Sequence, residues 1–593
     1  MHDAMTTDLE PPTSLRIDDL IERQVRLRPQ ALALEDGERQ LTYAELWARA
    51  GGLARELRAR GVRDGAPVAL QMERSLALVV AVVGVLRAGG ACVPLDPADP
   101  PARLAAVLEH ADTAAVVTTA ALAERLGGAR DVVVLEDCAP QAEVDVDGAG
   151  SPDDLAFVFF TSGSTGAPKG TMHTHRSCTA QLEWVRERVG LRSEDRHLLK
   201  TSVGFVSLLR QFIWPLATGA RIVVVAAGRE HDVDHLGEVV DRHGVTFMSF
   251  ITPGLAAFLR RARLDGASVR CAITGGDAFP PGLQEDFFAA FPQAELHQSF
   301  GCTEVPLVTW WQFRPGRPDE TPLGLPIPGV TAHVLDEDMR PVAPGDPGEL
   351  YVHGEGVSAG YFGLPALTAE RYLDNPFAPG TPLLRTTDRV RQRQDGVFEL
   401  VGRTQRMVKI RGFRIEPAEI ELTLSTHDAV AEAAVVVEER DGGDKRLVAF
   451  VAPRARREIS PGEAMAFLES RLPRYMLPSA IVPLDELPLT GNAKVDRRRL
   501  ADLTTPPATA AGAAMPSSDL ERTIAEVWSD ALEVDREAVG ADVDFFALGG
   551  DSLAAAEISA RLEEALDREV PYLLLFEAST VASLARALEG SPA

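Results

Sequence analysis

With 593 residues, 45% of them hydrophobic and 25% charged, the chain is too long for one core and has the composition of soluble globular material, so about three or four structural units are expected. A net charge of −27 excludes a typical nucleic-acid surface, and the longest apolar run, Leu76 to Leu86, falls short of a membrane span. Five cysteines without a C-x-x-C pair and a first segment unlike a signal peptide lead to the expectation of a reducing, cytoplasmic setting with no disulfide framework.

From residue 15 to about 150, helical stretches alternate with short apolar strands. Ser14 is expected to cap a helix through Arg26, Tyr43 to Arg60 is amphipathic, Leu76 to Leu86 is a buried helix, and Val68 to Leu70 and Cys92 to Leu95 read as strands. The run Leu155 to Phe160 is a further strand, and it delivers Thr161-Ser162-Gly163-Ser164-Thr165-Gly166-Ala167-Pro168-Lys169-Gly170. Hydroxyls, glycines and a lysine at this density suit a polyphosphate, because unobstructed backbone N–H groups and a cation are what phosphate oxygens need. The loop is not a Walker A motif, since Pro168 precedes Lys169, and a Ser/Gly surface linker is the competing reading on composition alone.

The α/β alternation resumes with strands at Ile222 to Ala226, Thr246 to Ile251 and Ala272 to Thr274, the last ending in Gly275-Gly276-Asp277, and with a helix from His235 to His243. A β-rich segment begins at Gly348. Within it Gly356-Val357-Ser358-Ala359-Gly360 mimics a nucleophile elbow, but the following Tyr361 to Pro365 cannot supply the helix such an elbow needs, so Ser358 reads as structural. Residues 397 to 500 have the pattern of a small α+β unit, with strands at Met407 to Ile410, Ala433 to Val437 and Arg446 to Ala452 and helices at Pro417 to Ser425 and Pro461 to Arg471. Ala501 to Ser518 has linker composition. Beyond it, Leu520 to Leu532, Leu553 to Ala565 and Thr580 to Leu588 are amphipathic helices in an acidic tail, which from Pro516 to Ala593 carries 17 Asp and Glu against 5 Arg.

In that tail, Asp544-Phe545-Phe546-Ala547-Leu548-Gly549-Gly550-Asp551-Ser552-Leu553 puts Ser552 at a helix start, either as a capping serine or as a serine exposed for modification. The string resembles the attachment site of peptidyl carrier proteins, whose serine bears 4′-phosphopantetheine. Thr161 to Gly170 in turn resembles the phosphate loop of acyl-adenylate-forming enzymes, and of nonribosomal peptide synthetase adenylation domains in particular. Leu41 to Leu46, Leu86 to Pro97, Phe300 to Glu304, Gly348 to Thr368, Arg385 to Asp388, Gly402 to Glu421, Leu472 to Pro478 and Gly491 to Lys494 match further family motifs in order.

The resemblance implies an α/β multidomain chain. Its parts would be a large adenylation subdomain at 15–403 with α/β blocks and a β-rich segment, a small α+β subdomain at 404–502, a linker at 503–516 and an all-α four-helix carrier bundle at 517–589. It implies ATP-dependent activation of a carboxylic acid as acyl-AMP and thioester transfer to Ser552, in secondary metabolism of the antibiotic kind. Lys494 would offset anionic repulsion in adenylation, Glu304 would contact Mg²⁺ and Thr303 the phosphate. Asp388 would accept the ribose hydroxyls beside Arg403, Phe300 and Gly275-Gly276-Asp277 would flank adenine, and Thr161, Ser162, Gly163, Ser164, Thr165, Gly166 and Lys169 would hold pyrophosphate. In the family the small subdomain swings after Gly402-Arg403, withdrawing the lysine and opening a thiol tunnel near Lys409.

The acid pocket departs from the family. Val206 stands where amino-acid-activating members carry an aspartate for the α-ammonium, so a standard α-amino acid is disfavoured and β-amino, aryl, keto or dicarboxylic acids come forward. Arg210 either anchors a second acidic group or extends to solvent, while Ser207, Ser249, Ile273, Gly275, Ser299, Leu307 and Val308 complete the wall. Cys302, Thr387 and Gln405 replace commoner family residues. Expected partners are the acid, a phosphopantetheinyl transferase and downstream condensation or tailoring enzymes in trans, with a small helper protein as a further candidate. A free acyl-CoA ligase and a carrier scaffold with a degenerate adenylation domain are the alternative functions.

Overall fold

The computed structural model describes residues 14–590 apart from 64, 125–130, 144–149, 163–167, 231, 263, 265–267, 278, 281, 317–321, 404–406, 411–412, 440–444, 455–458, 489–494, 504–513, 533, 544, 546–547, 549, 551, 567, 569 and 571–573. Two mostly parallel sheets dominate. One is six-stranded, and the apolar runs Pro67–Gln71, Ala91–Leu95 and Leu155–Thr161 lie side by side in it. The other is nine-stranded, with Arg196–Leu199, Phe247–Ile251, Cys271–Gly275 and Glu295–Cys302 adjacent and parallel. Strands buried on both faces read as continuous apolar runs, which is why the sequence announces them. Between the sheets lies a common core: the helix Leu76–Ala88, buried along nearly its whole length, packs with Tyr43–Ala59 and with residues of both sheets.

The first helix runs Ile17–Leu27 rather than from Ser14. Its start is fixed by the Arg16 N–H donating to Asp19 Oδ2 at 3.0 Å and the Ile17 N–H donating to buried His175 Nδ1 at 3.1 Å, so tertiary partners and not Ser14 set the boundary. The β-rich segment forms a five-stranded sheet that includes Val330–Leu335, Pro347–Gly354 and Pro382–Gln392. Ser358 lies in the loop after Pro347–Gly354, its hydroxyl 2.5 Å from Tyr372 Oη, and the short helix Pro365–Arg371, which starts on the Pro365 expected to prevent one, begins too far along the chain to form an elbow.

The small subdomain has a two-stranded hairpin, Val408–Ile410 with Phe413–Ile415, and a three-stranded sheet, Val430–Glu439, Lys445–Pro453 and Ala480–Pro483, covered by the helices Pro417–Ser425 and Pro461–Glu469. After the segment around 504–513, the helices Asp519–Leu532, Ser552–Leu566, Leu574–Glu577 and Val581–Gly590 enclose a core of their own around Trp528 and Phe545, whose rings are 5.3 Å apart. Among the described residues no helix is long and apolar enough to cross a membrane.

Candidate active site

The two strands that flank the Ser/Gly-rich segment pair with each other. Leu155–Thr161 leads into it and Lys169–Thr174 returns antiparallel, pairing Thr161 with Lys169. Lys169 and Gly170, expected in the loop, are drawn into the sheet by pairing with the apolar strand. Gly163, Ser164, Thr165 and Gly166 lie outside the described residues. Ser162 is buried and its hydroxyl donates to the Arg414 carbonyl at 3.0 Å, tying the loop's start to the small subdomain. Lys169 is buried as well, its ammonium 3.8 Å from Glu304 Oε1 and 5.1 Å from the centre of the Tyr361 ring. Burial, reinforced by Arg414, pulls this ammonium down to about 8 despite the Glu304 carboxylate nearby.

Thr303 and Glu304 form the turn between Glu295–Cys302 and Val305–Gln312. The Thr303 carbonyl accepts a 2.9 Å hydrogen bond from His173 Nε2, and burial, pulling that imidazole down to about 4, keeps it neutral. Glu304 is 2% exposed and is held by three groups. Tyr361 Oη donates to Oε1 at 2.6 Å, Arg414 Nη1 donates to Oε2 at 2.7 Å, and Lys169 stands beside them. Burial opposes ionisation of this carboxyl, but the Arg414 guanidinium, with Lys169 and Tyr361, overcomes it and holds Glu304 well below the usual carboxylate range. Among the described residues no group of three or more His, Cys, Asp and Glu could hold a metal. One carboxylate suffices for a Mg²⁺ that arrives on nucleotide phosphates, so Glu304 fits that role once Arg414 withdraws from Oε2.

On the nucleoside side, Phe300 is buried, and Lys409 Nζ lies 5.8 Å from its ring centre and 3.5 Å from the Gly301 carbonyl. Gly275 ends its strand, and Gly276 follows with φ 85°, a conformation glycine adopts without strain, to turn the chain toward Asp277. Asp388 is buried on Pro382–Gln392, opposite Arg403 in register, and is near enough to Cys302 to push that thiol upward, a smaller effect than burial and Glu304. The Arg403 side chain lies outside the described residues. Thr387, which replaces the family's glycine, holds φ 67° and is fully buried; a β-branched residue in that region costs on the order of 1 kcal/mol, here stored next to Asp388.

Of the residues expected to form the acid pocket, Ser249, Ile273, Gly275 and Ser299 share one face of the nine-stranded sheet. In register, Ser249 lies beside Ile273, and Gly275 beside Ser299. A side-chain period of two along each strand therefore points Ser249, Ile273 and Ser299 to the same side, the side covered by the helix Leu208–Thr218. Val206 and Ser207 immediately precede that helix, Val206 packing half-buried against the core. Leu307 and Val308 are buried on the next strand, and the Leu307 carbonyl accepts from Gln181 Nε2 at 3.1 Å. Arg210 does not extend outward: its Nη1 donates to Ser299 Oγ at 2.9 Å.

Three residues that sequence reading did not single out organise the site. Arg414 and Tyr361 flank Glu304, and Arg103 makes a buried pair with Glu419 at 3.0 Å that pins Pro417–Ser425 against Pro101–Ala111. For Arg414 the available signal was its place between Phe413 and Ile415 on a short strand within a matched motif. Phe413 also stacks on Tyr475 at 4.3 Å and meets Phe205 edge-on at 5.1 Å, so the residue before Val206 touches the small subdomain. Lys409 is thus at the site. Lys494 lies outside the described residues, and the helix that follows it, Arg497–Asp502, is held on the small subdomain by Arg497 donating to Glu421 at 2.9 Å.

In the carrier, Ser552 is the first residue of Ser552–Leu566; its side chain, like Arg411 and Gly412 in the hairpin, lies outside the described residues. Gly550 is required by packing, since a Cβ there would stand 2.3 Å from the Phe545 ring.

Comparison with known proteins follows the same division. Residues 21–362 match the model of the AMP-binding enzyme family, 419–494 that of the AMP-binding enzyme C-terminal domain, and 522–588 that of the phosphopantetheine attachment site. The chain is 38% identical over 590 residues to phosphinothricin tripeptide synthetase PhsB of Streptomyces viridochromogenes, covering 96% of this chain and 49% of that protein, so it spans about half the length of that relative. Among solved structures, an artificially fused adenylation-PCP di-domain from Klebsiella oxytoca shares 28% identity at TM-score 0.70 over 79% of this chain and 93% of its own. A holo nonribosomal peptide synthetase protein with adenylation and PCP domains, bound to a vinylsulfonamide inhibitor, has the same fold at TM-score 0.80 and 23% identity over 98% of both chains. The buried Glu304 and Asp388 site, closed by a C-terminal subdomain and followed by a carrier bundle, therefore belongs to an AMP-binding enzyme of the nonribosomal peptide synthetase type, an adenylation domain joined to a phosphopantetheine carrier domain.

Proposed function

We propose that the chain activates a carboxylic acid with ATP and loads it onto its own carrier. In the first step a carboxylate oxygen bonds to the α-phosphorus while the bond to the β-phosphate oxygen breaks and pyrophosphate leaves. In the second a thiol, giving up its proton, bonds to the acyl carbon while the carbon–oxygen bond to AMP breaks. Lys494 and the loop from Thr161 to Lys169 would offset charge in the first step, and Glu304 would hold Mg²⁺, which neutralises phosphate charge when bound. Asp388 would take the ribose hydroxyls. Ser552 would carry the phosphopantetheine thiol, attached by a phosphopantetheinyl transferase, and condensation or tailoring enzymes would receive the thioester.

The observation that carries this reading is the small-subdomain hairpin lying over the site, with Lys409 at Phe300 and Arg414 on Glu304. With Arg414 on the carboxylate proposed for Mg²⁺, this arrangement suits the thioester-forming step after pyrophosphate and metal have left. The Val206 side chain cannot pair an α-ammonium, and a buried unpaired charge costs on the order of several kcal/mol, so a standard α-amino acid is disfavoured against β-amino, aryl, keto and dicarboxylic acids. Acid-dependent pyrophosphate exchange is expected to disappear in Lys494→Ala, and the mass gain of the pantetheine arm in Ser552→Ala. Retention of the arm by Ser552→Ala would refute the carrier assignment.

A further inference from the structure

Arg210 is a half-buried charge that no described carboxylate answers. Its side chain makes one hydrogen bond among the described residues, to Ser299 Oγ, and Ser299 Oγ in turn donates to the Thr274 carbonyl at 3.3 Å, which turns its lone pairs toward the arginine. Arg16, Arg74, Arg103 and Arg414 each meet a carboxylate within 3.3 Å, and buried Arg87, which meets none, is answered instead by the Trp47 and Ala142 carbonyls and the Trp47 ring. No described carboxylate lies within ion-pair distance of Arg210. A guanidinium has five N–H donors in a planar fork, so most of its hydrogen-bonding capacity is left to water or to a ligand beside a wall that is otherwise uncharged. Burial alone pulls it down to about 10, which leaves it cationic at neutral pH.

A half-buried cation left to water in the free pocket becomes costly once a bound acid excludes that water, unless the acid itself answers it. We propose that Arg210, oriented by Ser299, receives a second carboxylate at the far end of the activated acid, so that the substrate is a dicarboxylic acid without an α-ammonium group. The inference rests on the adenylation reading and narrows it. Val206 and Arg210 make one selection between them: the first leaves no anion for an ammonium, and the second places a fork where a carboxylate can bind in bidentate fashion. A neutral amide of the same length would fill the same volume but would leave the guanidinium uncompensated.

The test is pyrophosphate exchange by the full chain with the linear diacids from succinate to pimelate, each beside its monoamide, with monoacids, aromatic acids, aspartate and glutamate in parallel. At least one diacid should exceed its monoamide about 100-fold in kcat/KM. Arg210→Met should erase that ratio, and Arg210→Lys should keep part of it. Monoacids, aromatic acids or α-amino acids working as well as the diacids, or an unchanged ratio in Arg210→Met, would overturn the proposal while leaving adenylation intact. No exchange with any acid would overturn the adenylation reading, and this proposal with it. Should Arg210→Met not fold, calorimetric titration of the unsubstituted protein with the preferred diacid and its monoamide decides alone, equal affinity counting against.

Discussion

Glu304 is the residue on which two roles meet. In the arrangement described, its oxygens are satisfied by Tyr361 and Arg414, and Lys169 stands 3.8 Å away. The same carboxylate can serve a metal only when the guanidinium leaves, so the Arg414 pair belongs to one half of the proposed cycle and not to the other. Arg414→Met should therefore separate the two. Pyrophosphate exchange, which needs the hairpin elsewhere, should stay within about threefold, whereas single-turnover acyl transfer to Ser552 should fall about 100-fold, the scale expected when one partner of a buried pair is lost. Equal losses in both assays would count against this assignment. Neither partner of the pair was apparent from the sequence as a pair: Glu304 stood out because it follows Thr303 in a motif, but Arg414 lies 110 residues away and Tyr361 57 residues away. Side-chain chemistry advertises a residue's capacity and not its neighbour.

At the level of elements, the parallel strands were legible because burial on both faces demands unbroken apolar runs, and the helices because their periods are local, although the start of the first depends on Asp19 and His175 and not on a capping serine. The hairpins were harder. Lys169–Thr174 and Val305–Gln312 mix polar residues into their pairing, and their identity depends on the partner strand and not on any internal signal. The acid pocket is a product of register: Ser249, Ile273 and Ser299 face one way because three strands align, and Gly275 permits the alignment. A Cβ at Gly275 would stand 2.2 Å from the Ser299 carbonyl oxygen, which is backbone and cannot turn aside. Gly275→Ala should part the two strands, lower the unfolding midpoint by several degrees and abolish pyrophosphate exchange, at a cost of about 2–4 kcal/mol. Pantetheine loading of Ser552 in the same protein should persist, since the carrier has its own core. An unchanged midpoint would mean that the sheet yields at this point.

For the molecule as a whole, acid sensitivity is distributed unevenly. His173, His197 and His297 are buried in the adenylation unit, and burial pulls them to about 4, 3 and 4, while His175 is held well below its ordinary value by burial and by Arg16. Each is neutral for a structural reason: His173 donates to Thr303, His175 accepts from Ile17, His197 stacks on Phe247 at 4.3 Å, and His297 accepts from Trp310 Nε1 at 2.9 Å. In the unfolded chain all four titrate near their ordinary value of about 6.5, so between that pH and about 4 the unfolded state binds more protons than the folded one. The stability these rings contribute is therefore whole above pH 7 and is lost as pH falls. Residues 517–593 contain no histidine, so the carrier lacks this liability. Calorimetry should resolve two transitions, the larger moving down from pH 7 to pH 5 with a net uptake of about two protons on unfolding near pH 5, because the four rings take up about four while Asp18 and Asp99, whose carboxyls burial raises to about 6, release about two, and the smaller carrier transition unmoved by histidine ionisation. A proton uptake near zero for the larger transition would mean that the four rings open to solvent before the sheets do.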